Sequence, residues 1–210
     1  MYTLYIGNKN LSSWSLHAWV LMRASDIEFH ERMIALDRAD TPERIRAVSP
    51  SGRIPCLHDR DTIVWDSLAI AEYLAERHAG LWPADTQARA WSRCVTAEMH
   101  SGFAALRDEF SMDLRLREAR TPSPRAKADI TRIEAIWREG RARFGAGGEF
   151  LCGRFGVVDA FFCAVAFRFR SYGVVLNGTA AAYLESLLAL PAMHEWDRAA
   201  QREPAAQRPR

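Results

Sequence analysis

Three short stretches of the chain carry side chains whose types and spacing could do chemistry. The first, "NLSSWSLHAWVLM" at residues 10–22, sets Ser12, Ser13 and Ser15 around Trp14 where an apolar helix begins. A helix start offers free backbone N–H groups and the positive end of the helix dipole, which favour an anion, a thiolate among them. A serine hydroxyl there can donate to a sulfur that is not its own; it can equally serve as an N-cap, contributing about 1 kcal/mol. The second stretch, "SPSGRIPCL" at residues 49–57, places Pro55 in an apolar strand. Proline cannot donate to a sheet ladder, so it belongs at a strand start or edge, or in a special conformation such as a cis Ile54–Pro55 bond. The cis form would turn the Ile54 backbone outward, where an extended peptide could pair with it by strand addition. The third is Asp66–Ser67 ahead of "LAIAEYL". A carboxylate, a hydroxyl and free amides either cap a helix or hold the ammonium and carboxylate of an amino-acid end group.

These stretches must be positioned by regular elements, and the periodicity of the chain supplies them. "YTLYIG" alternates as a strand, residues 13–24 repeat as a helix, and "IEFHERMI" alternates again. Thr41 with Pro42 starts a short helix that Ser49–Pro50 ends. A hairpin follows, with strands around 54–58 and 63–65, and Asp66–Ser67 opens a helix whose stripe is Leu68, Ile70, Ala71 and Leu74. The predicted order over residues 1–78 is β-α-β-α-β-β-α, that of an α/β thioredoxin-like domain. Residues 79–85, with Gly80 and Pro83, read as a linker. Residues 86–210 read as an all-α helical domain, with helices over about 86–117, 124–145, 156–170, 179–189 and 191–202.

Composition excludes several function classes. The 210 residues carry a net charge of +2 with the signs interspersed, and no basic cluster precedes the short "AAQRPR" tail, so nucleic acid is not an expected partner. The four cysteines are far apart and form no CxxC pair, which argues against a zinc site and a thioredoxin-type redox motif. No signal peptide or membrane span is evident, and the expectation is a cytoplasmic protein without a metal.

Taken together, "SSWSLHAWVL", "SPSGRIPCL", "WDSLAIAEYL" and "CGRFGVVDAFFCAVAFR" resemble the cytosolic glutathione transferase superfamily, in the same order and over essentially the whole chain. The "SSWS" start is most similar to the "SSCS" pattern of the zeta class, which includes maleylacetoacetate isomerases, although Trp14 replaces its cysteine and His17 the arginine after it. The resemblance implies that Ser12 donates to the glutathione sulfur, with Ser13 and Trp14 shaping the same spot. It implies that Ile54, before Pro55, pairs with the cysteinyl part, and that Asp66 and Ser67 receive the γ-glutamyl end. Arg53 either neutralises the glycyl carboxylate or stays a solvated surface side chain. His17, Met99, His100, Phe103 and Arg107 are candidates for an electrophile pocket between the domains. In the helical half, Gly153 and Asp159 fit a structural motif of the family, with Gly156 where a Ser or Thr cap is usual. The implied function is a homodimeric glutathione transferase attacking a small hydrophobic electrophile, with peroxide reduction as a further activity. The alternatives are a zeta-type cis-trans isomerase and a non-catalytic binding protein of the same fold.

Overall fold

The computed structural model describes residues 1–204, and the "AAQRPR" tail lies outside the described residues. The N-terminal part runs β1 (Tyr2–Ile6), α1 (Ser13–Ala24), β2 (Phe29–Met33), α2 (Thr41–Arg46), β3 (Cys56–Asp59), β4 (Thr62–Val64) and α3 (Ser67–Ala75). Its four strands form one mixed sheet in the order β2-β1-β3-β4. β1 and β2 are parallel, with Tyr2 opposite Phe29 and Ile6 opposite Met33, and α1 is the crossover between them. β3 runs antiparallel to β1 and returns through a hairpin to β4, the turn carrying Arg60 at a positive φ of 53°. This is the expected thioredoxin-like arrangement, followed among the described residues by the helices α4 (Thr86–Ser101), α5 (Ala104–Glu109), α6 (Pro124–Phe144), α7 (Val157–Ser171), α8 (Gly178–Leu188) and α9 (Pro191–Arg202).

One element differs from expectation. The helix predicted over residues 86–117 ends at Ser101. Gly102 is extended, Phe103 takes the left-handed conformation at φ 58°, and α5 then restarts the helix for six residues. A Cβ on Gly102 would sit 2.7 Å from the Glu98 carbonyl oxygen, so the break needs glycine there. Two smaller shifts occur in the sheet part. Asp40 rather than Thr41 is the N-cap position of α2, and β3 begins at Cys56, two residues later than predicted, because Ile54–Pro55 stays out of the ladder. The Ile54–Pro55 peptide is cis, as is Trp65–Asp66.

The two parts share one core. α7 is buried along almost its whole length, and it packs on α1, whose Leu16, Trp19 and Val20 are buried in turn. A helix apolar all round, as "VVDAFFCAVAF" is, can only be stable inside a protein. Its entry is fixed by Asp159, whose carboxylate accepts from the Gly156 amide at 3.0 Å, the Leu151 amide at 3.0 Å and the Tyr183 hydroxyl at 2.8 Å. Burial pushes this carboxyl up to about 6 against the pull of those donors. Gly156 serves as N-cap because a Cβ there would approach the Leu81 carbonyl oxygen to 2.6 Å. Among the described residues no helix is long and apolar enough to cross a membrane.

Candidate functional site

The start of α1 distributes its three serines among different tasks. Ser12 is the N-cap: its Oγ accepts from the Ser15 amide at 3.4 Å and donates to Ser15 Oγ at 2.7 Å. Ser15 Oγ also accepts from the Gly7 amide at 3.0 Å, tying the helix start to the end of β1. The Ser12 proton is therefore engaged inside the protein. Ser13 differs, because its Oγ accepts from Nη2 of Arg168 at 3.1 Å and no described residue takes its proton. A hydroxyl that accepts from a guanidinium is polarised towards donating its own hydrogen.

The other wall comes from the approach to β3 and the start of α3. Asp66 is the N-cap of α3, with Oδ1 accepting from the amides of Leu68 at 2.9 Å and Ala69 at 3.3 Å. Its Oδ2 lies 3.0 Å from His100 Nε2 on α4. Ser67 is fully buried, yet its Oγ has no partner among the described residues. Trp14, Arg53, Ile54, Pro55, Asp66 and Ser67 line a cleft of about 650 Å³. Beyond Trp14 a second cleft, also about 650 Å³, is lined by Ser12, Ser13, Arg107, Met112 and Arg168. Both are bordered by Trp14, Arg53 and Ile54, so they adjoin at the front of α1. A larger open depression of about 870 Å³ lies around Trp82, Arg93 and Phe155. It gathers none of the predicted site residues, and size alone does not make it the site.

The remaining predicted residues separate. His100 lines the first cleft and Arg107 the second. Met99 and Phe103 are buried core side chains on neither cleft, and so is His17, whose ring stacks on Phe161 at 4.5 Å. Burial, then the nearby Arg107 and Arg168, hold the His17 imidazole well below its ordinary range, so it is neutral at neutral pH. Trp14 is held edge-on by His17 and His100 at 5.6 and 5.2 Å, and the Arg107 guanidinium lies 4.5 Å from its ring centroid. Arg168 and Met112 were not anticipated. The signal for Arg168 was present in "AVAFRFR", where a cation interrupts the apolar run of a buried helix. Among the described residues no group of three His, Cys, Asp or Glu side chains could hold a metal ion.

Residues 11–77 match the family model of the glutathione S-transferase N-terminal domain. The matched segment runs from the start of α1 to just past α3. The fold agrees: a glutathione transferase homolog from Burkholderia GL BGR1, crystallised with bound glutathione, superposes with a TM-score of 0.70 at 21% identity, covering 97% of this chain and 99% of that one. A glutathione S-transferase from Xylella fastidiosa gives a TM-score of 0.69 at 20% identity, covering 96% and 99%. Among curated relatives, a stringent starvation protein A homolog of Haemophilus ducreyi is 24% identical over 73% of this chain and 75% of its own length. A probable maleylacetoacetate isomerase of Caenorhabditis elegans is 22% identical over 66% and 68%. The segment matched by the glutathione transferase model includes Ser12, Ser13, Trp14, Arg53–Pro55 and Asp66–Ser67, whereas Arg107 and Arg168 lie outside it.

Proposed function

We propose that the protein is a glutathione transferase whose two adjoining clefts hold glutathione and an electrophile on either side of Trp14. The observation that carries this reading is that Ser13 lines one cleft and Asp66–Ser67 the other, and that the two adjoin along Trp14, Arg53 and Ile54. The unpartnered Ser67 Oγ and the amides at the start of α3 suit the γ-glutamyl carboxylate, and the Asp66 carboxylate suits its ammonium group. Arg53, which borders both clefts, suits the glycyl carboxylate.

On this reading Ser13, rather than the capping Ser12, donates its hydroxyl proton to the glutathione sulfur, and the N-terminus of α1 adds its positive dipole end. A free thiol with a pKa of about 8.5 is only a few per cent ionised at neutral pH, and lowering it to about 6.5 raises the thiolate population roughly 25-fold. The lost basicity costs about 6- to 10-fold in nucleophilicity, so ionisation nets only a few-fold. Most of the acceleration must come from holding sulfur and electrophile together. A sulfur–carbon bond forms as the leaving group departs with its electron pair.

Titration calorimetry with millimolar glutathione, followed by turnover of an activated aryl chloride, tests the proposal. Saturable binding and chloride release are expected. A second reading, a binding protein of the same fold, is favoured by the similarity to a stringent starvation protein A homolog. Absence of heat with glutathione would establish that reading instead.

A further inference from the structure

The second cleft is not the apolar pocket that a small hydrophobic electrophile calls for. Arg168 reaches it from the last turn of α7, 4% exposed and surrounded by apolar side chains of the core. Its Nε donates to the Phe110 carbonyl at 2.9 Å and its Nη2 to Ser13 Oγ at 3.1 Å. Nη1 is buried and has no partner among the described residues. The guanidinium is pushed down to about 9 by burial and then by the like charge of Arg107, and it stays protonated at neutral pH. Arg107 lines the same cleft, with Nε on the Gly102 carbonyl at 3.0 Å and Nη2 on the Met99 carbonyl. Arg53 borders the cleft as a third cation, and no acidic side chain lines it among the described residues.

A buried cation with an unused donor and no counter-charge is costly to a folded protein unless something supplies the missing anion. Here the two arginines line the same cleft as Ser13. Met112 and Trp14 give that space apolar walls, which suit the body of a ligand rather than its charge. We propose that this cleft takes a carboxylate-bearing electrophile, the carboxylate accepting from Nη1 of Arg168 in the field of Arg107 while its reactive carbon faces Ser13. The inference rests on the assignment of the adjoining cleft to glutathione, and names the substrate class that such a site would select. Its physical basis is the strength of hydrogen bonds between guanidinium and carboxylate in a site shielded from water.

The test compares the carboxylate and the carboxamide of one activated aryl chloride. The native protein should use the carboxylate with a kcat/KM about tenfold higher or more, the range of one charge-assisted hydrogen bond. Arg168→Met should bring that ratio close to one, and Arg107→Met should lower it part of the way. Because Arg168 also touches Ser13, its loss slows both substrates, and only the ratio reads the carboxylate contact. A native ratio of one, or a ratio that survives Arg168→Met, overturns the proposal and leaves Arg168 a partner of Ser13 alone. Circular dichroism checks the fold of each variant; where Arg168→Met does not fold, the ratio in Arg107→Met decides. If neither aryl chloride reacts, the transferase reading fails. Calorimetry with phenylpropanoate and its amide, on protein saturated with S-methylglutathione, then decides this one. Tighter binding of the carboxylate that Arg107→Met weakens supports the anion site, and equal binding of the two overturns it.

Discussion

The two clefts on either side of Trp14 are built by different means. The one proposed for glutathione is made of helix starts and a strand approach, so its donors are largely backbone amides and the side chains that cap them. The one beyond Trp14 draws its charge from Arg107 on α5 and Arg168 on α7, side chains far apart in sequence. Backbone amides at a helix start recognise any ligand with an anion in the right place and tolerate change in the side chains around them. Guanidinium groups on two separate helices recognise only what fits between them, and a single substitution removes the feature. A constant co-substrate suits the first construction and a particular second substrate suits the other.

Breaking the support common to both clefts should give the largest effect. Asp159 holds the start of α7, which packs on α1 and carries Arg168. Asp159→Ala leaves two buried amides and the Tyr183 hydroxyl without their acceptor and is expected to cost about 3–5 kcal/mol, measured by urea denaturation. A cost below about 1 kcal/mol would mean that α7 is held by its apolar contacts alone. Next in size is Ser13→Ala, which tests the point where the clefts meet. It is expected to lower kcat/KM for conjugation about 100-fold, comparable to the loss of one preorganised donor, and to cost about 1–3 kcal/mol in urea stability because Nη2 of the buried Arg168 loses its acceptor. If Ser13→Ala retains turnover, sulfur activation falls to the backbone amides of α1.

Much of this arrangement was legible because it is local. The serines at 12–15, the Asp66–Ser67 pair and the Gly156–Asp159 motif announce helix starts whose geometry follows within a few residues, and α1, α3 and α7 begin where those signals place them. The break at Gly102–Phe103 was hidden for a physical reason. Met99, Phe103, Leu106 and Phe110 keep helical spacing across it because all four pack into the same core, whether or not the backbone between them is helical. The roles of Ser12 and Ser13 depend on which hydroxyl meets Arg168, a contact spanning 155 residues that no spacing rule contains. His17 and Arg107 looked equivalent as polar residues on helices near the site. Packing separates them, sending the imidazole into the core beside Phe161 and leaving the guanidinium on the cleft.

Two smaller substitutions sharpen the contrast between a ligand contact and a cap. Ser67→Ala removes a buried hydroxyl that has no partner among the described residues, so urea stability should not fall, while glutathione affinity measured by calorimetry should weaken about tenfold. A fall in stability with affinity intact would make Ser67 a structural residue. Ser12→Ala is its converse and the mildest of the set. It removes the N-cap of α1 and the donor to Ser15 Oγ, and should cost about 1 kcal/mol in urea stability. Its effect on turnover should be small beside that of Ser13→Ala, because the Ser12 proton is engaged by Ser15 and not offered to the cleft. Stability and turnover measured on the same samples separate the two serines. If Ser12→Ala loses turnover as Ser13→Ala is expected to while its stability is unmoved, then Ser12 must break its bond to Ser15 when glutathione binds, and the polarised Ser13 would be the bystander.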